Sequence, residues 1–155
     1  MFIKTIKVKK PNLLAAALLV TIICLLAAVG ITAYRFARPA QYEMKNEQQR
    51  QEFLKEMGWK VGSEFTDCRE ITIPGEFNDV YTAYNKLQKQ QGFDLSPYKG
   101  KKCSVYTYRV ENYKGHEGKG DVNCNLIICG SKLIGGDVCS TQLDGFMQGL
   151  KKSEK

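Results

Sequence analysis

A single histidine, His116, occurs in 155 residues, no two cysteines are spaced Cys-x-x-Cys, and no acidic residue precedes Glu43. Each scarcity removes a class of function. One histidine cannot supply the two ligands that a zincin helix places four residues apart. The cysteine spacing lacks the structural-zinc signature, and Cys124 and Cys129, an odd number of positions apart, point to opposite faces of a regular strand. Gly115-His116-Glu117-Gly118-Lys119-Gly120 is glycine-rich, but a Walker loop needs Gly-Lys-Ser/Thr opening a helix, whereas Gly120 follows Lys119 and Asp121 then opens a strand, so the segment reads as a flexible hairpin tip. No serine or cysteine sits in a nucleophile elbow. Glu52 and Glu56 are one helical turn apart among Arg50, Lys55 and Lys60, the pattern of a solvated helix face rather than of paired catalytic acids. No catalytic, cofactor-binding or metal site is assigned, and no cofactor is expected.

Charge is missing in one further place. Leu13 to Ala33 carries none, and eleven of its 21 residues are Leu, Ile or Val. At about 1.5 Å per residue a helix of that length reaches about 32 Å, enough to cross a hydrocarbon core of about 30 Å. Lys4, Lys7, Lys9 and Lys10 precede the run, whereas Arg35 and Arg38 follow it, so the positive-inside bias places the N-terminus in the cytoplasm and the remainder outside. The rival is a cleaved signal peptide, with Ala28-Val29-Gly30 as a weak cleavage site and a secreted product. Cys24 follows Thr21-Ile22-Ile23, without the small residue that lipoprotein processing requires, and reads as a thiol in lipid.

The expected organisation is therefore a basic cytoplasmic tail at 1–12, a transmembrane signal anchor at 13–34, a juxtamembrane stalk at 35–45, an extracytoplasmic domain at 46–150 and a tail at 151–155. Six of the 23 Lys and Arg flank the anchor, leaving 17 basic against 16 acidic residues beyond it. That balance is no nucleic-acid surface. Cys68, Cys103, Cys124, Cys129 and Cys139 fall in the outer part, where an oxidising environment allows disulfides. Five is odd, so at least one stays unpaired; two bridges can be drawn in fifteen ways, and all five as buried thiols is the competing reading.

Along the domain, a polar stretch from Gln41 followed by Phe53, Leu54 and Met57 predicts a helix rising from the membrane and stopped at Gly58. Trp59 to Val61 and Asp67 to Ile73 predict short strands. Phe77, Val80, Tyr81, Tyr84 and Leu87 recur at spacings of three and four, predicting an amphipathic helix over 77–91 with these residues facing the core. Asn85 and Gln88 are placed to latch the loop that follows. Cys103 to Tyr113, Val122 to Cys129 and Lys132 to Cys139 predict a three-stranded antiparallel meander. Tyr81, Tyr84, Tyr106 and Tyr108 read as core rather than as a stacking platform. Thr141 to Leu150 has apolar residues at helical spacing, interrupted by Gly145 and Gly149.

Gln49-Arg50-Gln51-Glu52-Phe53-Leu54, Gly58-Trp59, Ile73-Pro74, Phe77, Val80-Tyr81, Tyr84 to Leu95 and Tyr98-Lys99-Gly100 together resemble a family of uncharacterised domains. The family is found mainly in clostridial-type Gram-positive bacteria behind a single N-terminal membrane segment. The resemblance implies the domain limits and the anchor, and it carries no activity. The sequence thus predicts an α+β domain, an amphipathic helix on a mostly antiparallel sheet, behind one transmembrane helix. Its expected role is a non-catalytic interaction module whose partner is a cell-envelope protein or wall component. The alternative is a cell-envelope hydrolase or thiol-dependent enzyme, for which Cys103, Cys124, Cys129, Cys139 and His116 are the positions to inspect.

Overall fold

The computed structural model describes residues 20–30 and 42–152. The chain divides into two units, Met1–Arg38 and Pro39–Lys155. In the first, 20–30 is helical with every side chain exposed, Val20, Ile22, Ile23, Leu25 and Leu26 among them. Among the described residues no helix is long and apolar enough to cross a membrane, and half of the expected 13–34 span lies outside them.

The second unit is built on six strands: β1 (Tyr42–Glu43), β2 (Asp67–Thr72), β3 (Lys102–Arg109), β4 (Val122–Cys129), β5 (Lys132–Ser140) and β6 (Met147–Gln148). The order is β1-β5-β4-β3-β2, every pairing is antiparallel, and β6 shares the β5 edge with β1. Two helices, α1 (Glu47–Glu56) and α2 (Asp79–Gln90), belong to opposite cores. Each starts on an asparagine. The Asn46 and Asn78 side chains accept from Gln49 N at 3.0 Å and Tyr81 N at 2.9 Å, caps worth about 1 kcal/mol each.

Strand alternation assigns the two faces. Tyr108, Val110, Cys124, Leu126, Leu133 and Val138 pack with Phe53, Leu54, Trp59 and Leu150 beneath α1. Val105, Ile127, Ile134 and Cys103 pack with Ile73, Leu95 and Tyr84 beneath α2. The polar side of α1 is tied down as well: Arg50 Nε donates to the Tyr108 hydroxyl at 2.9 Å and its Nη2 to Glu47 Oε2 at 2.9 Å, with the guanidinium 4.0 Å above the Tyr106 ring.

Several expectations change. The first helix starts at Glu47 and not Gln41, because Tyr42 and Glu43 pair with Leu133 and Lys132, and Met44 is buried behind them. Trp59 to Val61 forms no strand: Val61 makes one bridge to Val110, and Trp59 turns into the core, its indole N–H donating to the Leu150 carbonyl. Thr141 to Leu150 is not helical; its close approaches at Gly145 and Gly149 favour an extended path that ends in β6 and buries Leu150. The glycine-rich tip is anchored through His116, whose Nδ1 lies 3.0 Å from both Asp121 carboxylate oxygens and whose ring meets Tyr113 and Phe146 edge-on.

Candidate functional site

The apolar stripe of α2 was expected to seal the core, and instead it borders an opening. Val80 is 72% exposed, Tyr81, Tyr84 and Leu87 are half-buried, and the deepest positions on α2 are the polar Asn85 and Gln88. The cause lies in β5. Its edge is covered by β1 at Lys132 and Leu133 and by β6 at Val138 and Cys139, leaving Gly136 between them. Two glutamines fill that gap. Gly136 N donates to Gln88 Oε1 at 2.8 Å, and Gln91 Nε2 donates to Gly136 O at 3.1 Å. Gln91 Oε1 then accepts from Leu150 N at 2.6 Å. A Cβ on Gly135 would stand 2.8 Å from Gln88 Oε1, so glycine is what lets the helix approach this closely. Asn85 latches the following loop as the sequence suggested, accepting from Leu95 N at 2.8 Å and donating to Asp94 and Ser96.

Docked through these polar contacts, α2 leaves a cleft of about 880 Å³ between its apolar stripe and the strands. That is the size of a small-molecule or peptide-side-chain site. Val80, Tyr81 and Leu87 form one wall, Ile71, Val105 and Ile127 the other, and Met147, 55% exposed, stands at one end. A polar row crosses the floor. The Thr107 hydroxyl donates to Asn125 Oδ1 at 2.8 Å, Asn125 Nδ2 donates to Asp137 Oδ1 at 2.9 Å, and the Tyr84 hydroxyl donates to Asp137 Oδ2 at 2.6 Å. Asn125 faces Thr107 on one neighbouring strand and Asp137 on the other, so the ladder register alone assembles the row.

The chemistry of this floor is that of an acceptor. Asp137 is 4% exposed, and among the described residues no Lys, Arg or His pairs with it. Burial and then the Asp137 charge push the Tyr84 hydroxyl well above its ordinary range, fixing it as a donor. The same two causes raise the Cys139 thiol to about 11, so at neutral pH it is not a thiolate nucleophile. Each Asp137 oxygen takes one protein hydrogen bond and retains capacity for another.

The remaining inspected positions separate. Cys124 belongs to the α1 core, and burial raises its thiol far above the ordinary value. His116 is engaged by Asp121, which also accepts from Gln142 Nε2 at 2.8 Å. Cys103 and Cys129 lie together beneath α2, away from the polar row in the ladder. Among the described residues no group of three or more His, Cys, Asp or Glu is arranged to hold a metal ion. Asp137, Asn125 and Thr107 are not singled out by the sequence, because only the ladder register brings these three polar positions together.

Residues 53–138, more than half of the chain and spanning α1 to β5, match the model of a domain of unknown function, DUF4830. No curated protein and no solved structure matches the chain. The matched span holds α2 with Gln88 and Gln91 and the polar row of Thr107, Asn125 and Asp137, and the chain belongs to the DUF4830 family.

Proposed function

We propose that the protein is a non-catalytic binding module, tethered by an N-terminal anchor over 13–34 with the domain outside the cell, and that the α2 cleft receives an apolar ligand bearing a cationic or N–H donor group. The observation that carries this reading is the buried Asp137 carboxylate, unpaired by any described cation, on the floor of an apolar cleft. Arg69 lines the cleft without forming an ion pair to Asp137, so a primary ammonium supplies a direct counter-charge and up to three donors, and the aliphatic or aromatic remainder covers Val80, Leu87, Ile127 and Met147. Turnover is not part of this reading: burial and the Asp137 charge hold Tyr84 and Cys139, the two groups beside that carboxylate, in their protonated forms. Support for the tether comes from the exposed apolar side chains of 20–30 and the lysines before them.

Saturation-transfer NMR with matched pairs, phenethylamine against phenylpropionate and hexylamine against hexanoate, tests the cleft. The amines are expected to bind and the carboxylates not to, and Asp137→Asn should weaken amine binding at least about tenfold, about 1.4 kcal/mol. Equal binding of both series, or none, overturns the ligand class. The tether is tested separately on Cys68, an exposed thiol. A membrane-impermeant maleimide should label it in intact cells; labelling only after lysis places the domain inside.

A further inference from the structure

The geometry points to a native cross-strand disulfide between Cys103 and Cys129, closing the open end of the β3–β4 hairpin. The register pairs Ser104 with Ile128 and Val105 with Ile127, so the next opposed positions are Cys103 and Cys129. Both side chains contribute to the same core beneath α2. Their sulfurs follow one stretch of backbone: Cys103 Sγ is 3.8 Å from the Lys101 carbonyl oxygen and Cys129 Sγ is 3.7 Å from that of Lys102. Burial first, and then the neighbouring Cys129 thiol, raise the Cys103 thiol to about 12. Directly opposed antiparallel positions have Cβ atoms about 4.5 to 5.5 Å apart, within a small adjustment of what a disulfide spans.

The other cysteines lack such a partner. Cys68 faces Tyr106 across the ladder, and Cys124 and Cys139 stand opposite Val138 and Asn123. The register thus supports one bridge rather than any of the fifteen two-bridge patterns, and of the five cysteines from Cys68 onward it leaves Cys68, Cys124 and Cys139 as thiols.

Formation requires a disulfide oxidant, such as glutathione disulfide or an oxidised protein dithiol. Cys129, half-buried, is the sulfur an oxidant can reach, whereas Cys103 is 3% exposed. The Cys129 thiolate attacks one sulfur of the oxidant, releasing the other as a thiol and forming a mixed disulfide. Cys103 then loses its proton and attacks Cys129 Sγ, expelling the second thiol. Two S–H bonds become one S–S bond, and the oxidant is reduced to two thiols by the two electrons and two protons transferred. The bridge is independent of what the cleft binds.

The test is peptide mapping of the full-length chain after equilibration with glutathione disulfide, alkylation under denaturing conditions and non-reducing digestion. The expected product is a single linked pair, Cys103 with Cys129, with Cys24, Cys68, Cys124 and Cys139 alkylated and two of the six thiols lost per chain. Cys103→Ala should trap glutathione on Cys129, whereas Cys129→Ala should leave Cys103 unmodified. Alkylation of both residues in the oxidised wild-type protein, or linkage of either to another cysteine, overturns the assignment. The wild-type map decides this even where a variant fails to fold.

Discussion

The two faces of one sheet are covered in different ways. Beneath α1, Tyr108, Leu54, Leu126, Cys124 and Val138 are all at 0% exposure, and the chain beyond β5 returns to add Phe146 and Leu150. The Trp59, Tyr113 and Phe146 rings stack at 5.8 and 4.4 Å, closing one flank. Beneath α2 the helix is held at one end by glutamine-to-backbone bonds and stands off at the other, leaving apolar wall and polar floor open. Apolar area buried without specific partners closes a face; polar contacts with defined geometry can hold a helix where apolar packing alone would let it settle into the gap. The open face is therefore the one available for recognition.

Truncation should separate the faces most strongly. Leu126→Ala is expected to destabilise by about 3 to 4 kcal/mol through lost burial and a cavity that the aromatic flank cannot collapse into. Val80→Ala, on the cleft wall, should cost less than about 0.5 kcal/mol. Urea unfolding of both variants checks the difference, and equal losses would mean that the cleft closes in solution.

A second contrast lies in what holds α2. Gln88→Ala leaves the buried Gly136 N–H without its acceptor, and the expected cost is about 2 kcal/mol. The corresponding change at exposed Gln90 should be near neutral. Hydrogen exchange at the Gly136 amide reads this directly: it should quicken in Gln88→Ala and stay slow in Gln90→Ala.

The smallest effect concerns the loop after α2. Burial acts to raise the Asp94 carboxyl, but hydrogen bonds from Asn85 and Ser96 and the charge of Lys89 outweigh it and hold the group at about 2. A carboxyl lowered on folding contributes stability above its unfolded value of about 3.9, and that contribution is lost as pH falls toward about 2. Asp94 is partly solvated, so the contribution is below about 1 kcal/mol. Asp94→Asn should lower the neutral plateau by that amount, below about 1 kcal/mol, and converge with the wild type near pH 2, so that the acid limb between about pH 4 and pH 2 is flatter.

The sequence carried the meander and α2 well, because Cys103 to Cys139 alternates with period two and Phe77 to Leu87 with three and four. It misdirected the orientation of α2. The spacing of Val80 and Leu87 implies a core face, yet the side chains that dock are Asn85, Gln88 and Gln91, whose partners Leu95, Gly136 and Leu150 are remote in sequence or carry no side-chain signal. Trp59 to Val61 misled for a related reason: the strand-favouring Trp59 and Val61 gain nothing without a neighbouring strand to pair along the segment. The cleft floor needed the register itself, since Thr107, Asn125 and Asp137 are ordinary polar residues until the ladder places them side by side. Glycine at 145 and 149 was a sound warning against a helix, and the strand that replaces it depends on the free edge of β5.

Methyl NMR of the full-length chain during titration with phenethylamine tests the contrast between the faces most directly. The signals of Val80, Val105, Ile127 and Met147 should shift in a saturable way while those of Leu54, Leu126 and Val138 stay fixed, and Asp137→Asn should remove the response. Shifts spread over both faces, or an unchanged spectrum, would contradict a binding cleft beneath α2.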